Sequence, residues 1–236
     1  MKNLTKIEER ELNESQGDFL SAKVHRRSFL QYAGVGAAGI ALTAAGCKKD
    51  KDPIFNSGVN LGSGDIGILN YAYALEQLEA AFYLYVSANP YAGITSLEKT
   101  YLDDIRDHEV AHREFFKKAI GMKAIPALQV DFSTIDFTKR DTVLATAMAF
   151  EDLGVTAYDG AGYLFKSADY LLLAGKIVSV EARHASLIRE LISPNTFLGN
   201  SVDENSVNIA RSPIEVLTIA GKYIKTKINA SNLPTS

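Results

Sequence analysis

The chain has 236 residues, of which 47% are hydrophobic and 22% charged, and its formal net charge is −3. This composition is typical of one globular domain with an added segment, and it excludes a chain that is disordered throughout. Lysine and arginine are spread along the sequence without a basic cluster interleaved with aromatic residues, which excludes nucleic acid as a partner. The single cysteine, Cys47, excludes an intrachain disulfide and a multi-thiolate metal site. Any metal must therefore be bound by oxygen and nitrogen atoms.

The N-terminal segment has the pattern of an export signal. Arg26 and Arg27 are followed by a weakly apolar run at residues 32–46 that is rich in glycine and alanine, and this arrangement resembles a twin-arginine signal. The run is too short and too rich in glycine for a transmembrane helix, which needs about 20 apolar residues. It ends at Cys47 in a sequence that resembles a bacterial lipoprotein cleavage site, although Ala44 stands where a larger aliphatic residue is usual.

These resemblances imply that the protein is lipid-anchored in a bacterial cell envelope, on the periplasmic side or in the outer membrane. Residues 1–47 are then a signal that ends at an acylated Cys47, residues 48–64 are a tether, and the membrane is a partner. Twin-arginine export carries folded proteins, often with a cofactor already inserted, which favours a metal site in the domain. The alternative for Cys47 is a free thiol at the surface.

Beyond the tether, apolar residues recur at helical spacing in four segments that are long enough for the helices of a bundle. Asn89 and Pro90 end the first segment, Thr95 or Ser96 can cap the second, and Gly121 ends the second in the manner of a C-cap. Ser167 can cap the fourth segment. The predicted helices span residues 65–88, 96–121, 141–166 and 168–192.

The connections between these helices predict an all-α bundle. The first and third connections are short, as between antiparallel neighbours, whereas residues 122–140 form a long link that contains Pro126. This connectivity is that of a ferritin-like four-helix bundle with one long crossover. Residues 65–192 form the predicted bundle, and residues 193–236 form a C-terminal extension. The amphipathic stretch Pro213–Asn229 in the extension predicts a short fifth helix that packs outside the four.

Each of the four predicted helices carries glutamate inside the apolar stripe that faces the core. In the second and fourth helices the stripe contains a Glu-x-x-His pair, and in the first and third it contains a single glutamate. The six candidate metal ligands are Glu76, Glu109, His112, Glu151, Glu181 and His184.

Four carboxylates in one core require positive charge, because a buried carboxylate costs several kcal/mol unless it is paired or coordinated. Two divalent cations balance four carboxylates, and two neutral imidazoles complete the ligand sets. One glutamate from each of two helices plus Glu-x-x-His from each of the other two is the ligand pattern of di-iron and di-manganese bundles. A single Glu-x-x-His pair is usually a polar pair on a helix surface, but two pairs on core-facing stripes predict a dinuclear metal site.

An internal repeat supports Glu76 as the ligand from the first helix. Glu76 is followed seven residues later by Tyr83, and Glu151 is followed seven residues later by Tyr158. Glu79 has no tyrosine at the matching position, but it lies one turn away on nearly the same face and remains the alternative ligand. The two tyrosines are candidate catalytic residues, and the alternative is that they are core residues with hydrogen-bonded hydroxyl groups.

Three polar residues adjacent to the candidate ligands are expected to be outside the metal site. His108 precedes Glu109 and points about 100° away from it, so we expect His108 at the surface or in a hydrogen bond that supports a ligand. Asp107 and Asp152 are candidates for such a supporting hydrogen bond only.

The segment Leu75–Tyr83, together with the ligand pattern, resembles the ferritin-like superfamily. The sequence of this segment is most similar to ferritin-like domain proteins related to plant desiccation-related proteins. The resemblance covers about residues 65–192. It implies a centre of two bound metal ions, with iron favoured and manganese as the alternative. At such a centre Fe(II) is oxidised or oxygen or peroxide is reduced. It leaves open a manganese-catalase-like enzyme and a metal-binding envelope module without turnover. A homodimer is compatible with this reading, whereas a lipid anchor on every subunit argues against a closed storage shell.

Overall fold

Five α-helices dominate residues 57–235, which are the residues that the computed structural model describes. The helices are α1 (Gly64–Ala88), α2 (Ser96–Ile120), α3 (Arg140–Gly162), α4 (Ala168–Ile192) and α5 (Pro213–Ala220). A 3-10 turn, Gly121–Lys123, follows α2, and the short strands β1 (Val59–Asn60) and β2 (Ile228–Asn229) pair in parallel. The prediction of an all-α fold is therefore confirmed. The predicted export signal, with Arg26, Arg27 and Cys47, lies outside the described residues.

The four long helices pack as two hairpins, α1 with α2 and α3 with α4, and α1 also contacts α3. The connection within each hairpin is short, at residues 89–95 and 163–167, so its two helices are antiparallel neighbours. Residues 121–139 form the crossover between the hairpins. This is the ferritin-like arrangement that the sequence predicts.

The crossover is fixed to α1 by two buried amide side chains. Nδ2 of Asn70 donates to the backbone oxygen of Lys123 at 2.9 Å, and Oδ1 of Asn70 accepts from the backbone nitrogen of Ile125 at 2.9 Å. Two turns further along α1, Oε1 of Gln77 accepts from the backbone nitrogen of Leu128 at 2.8 Å. These bonds satisfy backbone groups of the crossover, including the N–H group of the buried Ile125.

Helix α3 ends at Gly162, before the predicted end at Lys166. The carboxylate of Asp65, in the first turn of α1, accepts hydrogen bonds from the backbone nitrogens of Lys166 and Ser167 at 2.8 and 2.9 Å. Because these two N–H groups find their acceptor on another helix, residues 163–167 form a turn instead of a continuation of α3.

Helix α5 ends at Ala220, so the predicted fifth helix is wrong for the remainder of Pro213–Asn229. Ile228 and Ala230 are buried, which is the two-residue period of a strand. Two backbone N–H groups at and after β1 donate to this segment, at 2.8 and 3.0 Å. Pairing with β1 therefore replaces the second half of the expected helix, while α5 itself packs against α3.

Helix α1 is the most deeply buried element of the bundle. Its polar residues at the centre are covered as completely as its apolar ones: Glu76 is 0% exposed and Glu79 is 3% exposed. Among residues 57–235, no helix has both the length and the apolar character needed to cross a lipid bilayer. Glu76 and Glu79 are buried carboxylates, and such groups need partners in the core.

Candidate metal centre

All six sequence-predicted ligands lie together at the centre of the bundle. Helix α1 contributes Glu76, α3 contributes Glu151, and α2 and α4 each contribute a Glu-x-x-His pair. All four glutamates are 0% exposed. The side chains of the two histidines are nearly buried, at 14% exposure for His112 and 5% for His184.

The six residues form two adjacent groups that could each hold a metal ion. One group is Glu76, Glu109, His112 and Glu181, and the other is Glu109, Glu151, Glu181 and His184; in each, the ligand atoms all lie within 4.8 Å of one another. Glu109 and Glu181 belong to both groups. The glutamates of the two Glu-x-x-His pairs are thus common to both groups, which the sequence pattern did not predict.

The short distances in the centre join each histidine to the shared glutamate of the opposite pair. Nδ1 of His112 lies 2.9 Å from Oε1 of Glu181, and Nδ1 of His184 lies 2.8 Å from Oε1 of Glu109. Two atoms that bind one cation at about 2.0–2.2 Å lie roughly 3 Å apart. The spacing of these nitrogen and oxygen atoms therefore fits ligands that converge on common ions.

Most atoms that face the centre have no hydrogen-bond partner within residues 57–235, although some of them lie close together. These atoms are Oε2 of Glu76 and Glu151, both carboxylate oxygens of Glu109 and Glu181, and Nδ1 of His112 and His184. A buried carboxylate without a partner costs about 1–3 kcal/mol or more. The donor set of carboxylate oxygens and imidazole nitrogens suits iron and manganese, so the residues present fit two such ions.

Each of the two candidate catalytic tyrosines forms a hydrogen bond with a glutamate that belongs to one group and not to both. The hydroxyl of Tyr83 donates to Oε1 of Glu151 at 2.5 Å, and the hydroxyl of Tyr158 donates to Oε1 of Glu76. Each bond connects α1 with α3 and leaves the Oε2 atom of its glutamate facing the centre. Both tyrosines are thus buried residues with hydrogen-bonded hydroxyls, and they also touch candidate ligands directly. Their catalytic role, like the metal-binding role of the six ligands, stays a prediction.

The pKa values of residues in the centre show that its buried glutamates favour positively charged or protonated neighbours. Burial opposes the charged form of His112, but its contacts with three glutamates of the centre raise its pKa to about 12. Burial also opposes charge on His184, but contacts with Glu109 and Glu151 raise its pKa to about 10. Burial raises the pKa of Glu76 to about 7. Protons and metal ions therefore compete for the same cluster of atoms.

Glu79, the alternative to Glu76, is a fifth buried carboxylate that belongs to neither group. A Cβ atom on Gly154 would lie 3.0 Å from Oε1 of Glu79 and 3.5 Å from Oε2 of Glu181, so Gly154 leaves room for the Glu79 side chain beside the centre. Burial and the nearby charge of Glu181 raise the pKa of Glu79 well above its ordinary value. The sequence held a signal for this arrangement, because Gly154 follows Glu151 by three residues as Glu79 follows Glu76.

His108 is exposed, and it also contacts a candidate ligand. Its Nδ1 atom lies 2.9 Å from Nε2 of His184. Asp107 and Asp152 instead pair with arginines: Asp107 is 68% exposed beside Arg106 at 2.9 Å, and Asp152 lies 2.5 Å from Arg189. Of the three neighbouring residues, His108 is therefore the one in hydrogen-bond contact with a ligand.

Comparison with known families agrees with the fold and with the ligand pattern. A family model of the ferritin-like domain matches residues 64–194, which is more than half of the chain and includes α1 to α4 and all six candidate ligands. No curated protein matches the chain. The chain belongs to the family of ferritin-like domain proteins, and it carries a buried cluster of glutamate and histidine that could hold metal ions.

Proposed function

We propose that the protein is an exported, lipid-anchored ferritin-like metalloprotein of a bacterial cell envelope that oxidises Fe(II) with oxygen or peroxide at a dinuclear centre. The observation that carries this proposal is the set of eight buried oxygen and nitrogen atoms that face one another without hydrogen bonds. Two adjacent groups share Glu109 and Glu181, which supports a pair of neighbouring ions over two separate sites.

The ligand assignment follows from the two groups. Glu76 and His112 would complete one ion's ligand set and Glu151 and His184 the other's. Two iron ions bound by these residues would supply two electrons to one oxidant without a bimolecular encounter.

The protein's own residues would position and isolate this chemistry. The hydroxyls of Tyr83 and Tyr158 each engage one oxygen of a glutamate, which restricts rotation of that carboxylate and directs its other oxygen to the centre. The burial of the four glutamates excludes bulk water, so charges in the centre interact more strongly than at the surface. His112 is the more exposed of the two histidine ligands, so an oxidant would reach the centre more readily from the side of His112 than from that of His184.

The experiment that tests this function measures the rate of Fe(II) oxidation by the protein against the same iron in buffer. We expect the protein to be faster and the gain to be lost in Glu151→Ala and in His184→Ala, since each change removes a ligand of one ion. Glu114→Ala is the matched control, because Glu114 is an exposed residue of α2 that pairs with Arg113.

A manganese-catalase-like enzyme would use the same ligands with a different metal. Loading with manganese and measuring peroxide dismutation separates that activity from iron oxidation. If the wild-type protein oxidises Fe(II) no faster than Glu151→Ala and also fails to dismutate peroxide with manganese, the protein is a metal-binding module without turnover and the proposed function is wrong.

A further inference from the structure

A cavity of about 180 Å³, lined by both polar and apolar residues, lies between α3, α4 and the segment 198–211, apart from the metal centre. The segment that closes it is held in a hairpin by an antiparallel bridge between Val202 and Asn208. Two arginines, Arg189 and Arg211, line the cavity together with serine, threonine and asparagine side chains. Arg189 is buried and Arg211 is half-buried; because buried arginine is rare unless paired, Arg189 in particular needs an explanation.

Arg189 is only partly satisfied by the protein. It is 5% exposed, and its Nη2 atom lies 2.5 Å from Oδ1 of Asp152. Its Nε and Nη1 atoms donate no hydrogen bond to an acceptor within residues 57–235. The loop comes close to this side chain at Gly199, where φ is +52° and a Cβ would lie 3.0 Å from Nε of Arg189. Glycine at this position thus allows the loop to close over a guanidinium group that still has free donors.

Arg211 is the second cationic group of the cavity, and its backbone is fixed to α3. Its backbone nitrogen donates to the backbone oxygen of Thr156 at 3.0 Å, and its Nη1 atom donates to Oγ1 of Thr156 at 2.9 Å. The backbone of Arg211 rests on Gly160, where a Cβ would lie 1.8 Å from the Arg211 oxygen. Within the described residues, no carboxylate forms an ion pair with Arg211. Its guanidinium group is therefore held by Thr156 and not by an ion pair, although Asp152 and Glu215 lie close enough for their charges to interact with it.

The cavity has two guanidinium groups and one carboxylate, that of Asp152, among its lining residues, and so carries a net charge of +1. A guanidinium group presents a planar set of donors that matches the oxygens of phosphate and carboxylate groups. The volume holds several waters at about 30 Å³ each but is smaller than a typical pocket of roughly 300–1,000 Å³. We propose that this cavity binds a small oxyanion that carries a phosphate or carboxylate group, between Arg189 and Arg211.

Isothermal titration of the metal-loaded protein at low salt tests the proposal, with inorganic phosphate and malonate as separate probes. We expect one binding site per chain for at least one probe, and the probe that binds identifies the group. Arg211→Gln should weaken binding about 10-fold or more, as the loss of charged hydrogen bonds predicts. Arg211→Lys, which keeps the charge and removes the planar fork, should bind with intermediate affinity. Arg183→Gln is the matched control, since Arg183 is an exposed arginine of α4 outside the cavity.

Three results would overturn the proposal. The first is the absence of binding of either probe up to about 10 mM, a concentration that detects all but the weakest complexes. The second is wild-type affinity in folded Arg211→Gln and Arg211→Lys. The third is binding that Glu151→Gln abolishes and Arg211→Gln preserves, which would place the anion at the metal centre. None of these results bears on iron oxidation, so the two proposals fail independently.

Discussion

The Nδ1 atom of His108 lies 2.9 Å from Nε2 of His184, and the Nδ1 atom of His184 faces the buried carboxylate of Glu109. If Nδ1 of His184 binds a metal ion, its Nε2 atom carries the proton and donates it in a hydrogen bond to His108. His108 is exposed on α2, so this bond links the buried centre with the protein surface. The bond would fix both the tautomer and the ring orientation of His184.

Replacing His108 should therefore weaken metal binding although His108 faces away from the centre. We expect His108→Phe to lower the affinity by about 10–100-fold, the usual effect of losing a partner behind a ligand. His108→Gln retains an acceptor and should restore part of the affinity. Competition titration with Co(II), followed by its visible absorption, measures both the affinity and the ligand geometry. An unchanged spectrum and affinity in His108→Phe, with Asp107→Asn as the control, would show that His108 has no positioning role.

Adding a methyl group at Gly154 should destabilise the protein through Glu79. The new Cβ would lie 3.0 Å from Oε1 of Glu79, and such overpacking costs about 1–3 kcal/mol. Gly175→Ala in α4 is the control, because no atom lies within 4 Å of its Cβ position and alanine stabilises a helix by roughly 0.5–1 kcal/mol over glycine. Urea denaturation measures the free energy of unfolding of each variant.

The same pair of residues permits a double-mutant cycle. Gly154→Ala should cost less in a Glu79→Ala background, because the group that it displaces is gone. Equal costs in both backgrounds would mean that Gly154 does not make room for Glu79.

The metal-free protein should lose stability as pH rises from about pH 5 to about pH 8. Burial raises the pKa of Glu76 to about 7, and the pKa values of His112 and His184 are about 12 and 10. In this range the folded chain thus binds more protons than the unfolded chain, so the slope of stability with pH is negative. Glu109, whose pKa is lowered to about 2, is ionised in both states and does not change the sign.

Denaturant unfolding of the metal-free protein at the two ends of this pH range checks the slope. Glu76→Gln should make the slope of stability with pH shallower, because it removes one of the groups that titrate. Metal loading should reduce or reverse it, because ions replace protons in the centre. A metal-free protein that is equally stable at both ends would contradict the assigned shifts.

The export proposal rests on residues outside the described part of the chain and is tested in cells. Replacing Arg26 and Arg27 by lysine should leave precursor in the cytoplasm, since twin-arginine export depends on that pair. Cys47→Ala should instead allow export and release the domain from the membrane fraction. Immunoblots of the cell fractions distinguish the two results. A Cys47→Ala protein that stays in the membrane fraction as completely as the wild type would rule out the lipid anchor.

The four long helices and the position of the centre were predictable because they depend on local periodicity. A glutamate within an apolar stripe must face the core, and four such stripes in one bundle must meet. Tyr83 and Tyr158 were predictable as repeat positions. That each tyrosine donates its hydrogen bond to the glutamate of the other helix, α3 or α1, depends on how the helices pack. No local pattern states that Glu109 and Glu181 are shared by both groups.

The errors arose where distant residues supply hydrogen bonds. Helix α3 stops before the predicted end because Asp65 of α1 accepts the N–H groups of Lys166 and Ser167, which then form a turn. The C-terminal half of the predicted fifth helix pairs with β1, a strand of two residues that is too short to be recognised from its sequence. His108, by contrast, was expected at the surface or in a hydrogen bond that supports a ligand, and it is exposed and lies 2.9 Å from His184; the sequence could not show that this ligand belongs to α4.

Elemental analysis of the purified protein tests the central claim most directly. After anaerobic loading with Fe(II) or Mn(II) and desalting, the chain should retain about two metal ions, since two divalent cations balance the four buried glutamates. Glu151→Ala and His184→Ala should each lose at least one ion, and the exposed-site control Glu114→Ala should lose none. Retention of less than about half an ion per folded wild-type chain, or equal retention in all four proteins, would contradict the dinuclear centre.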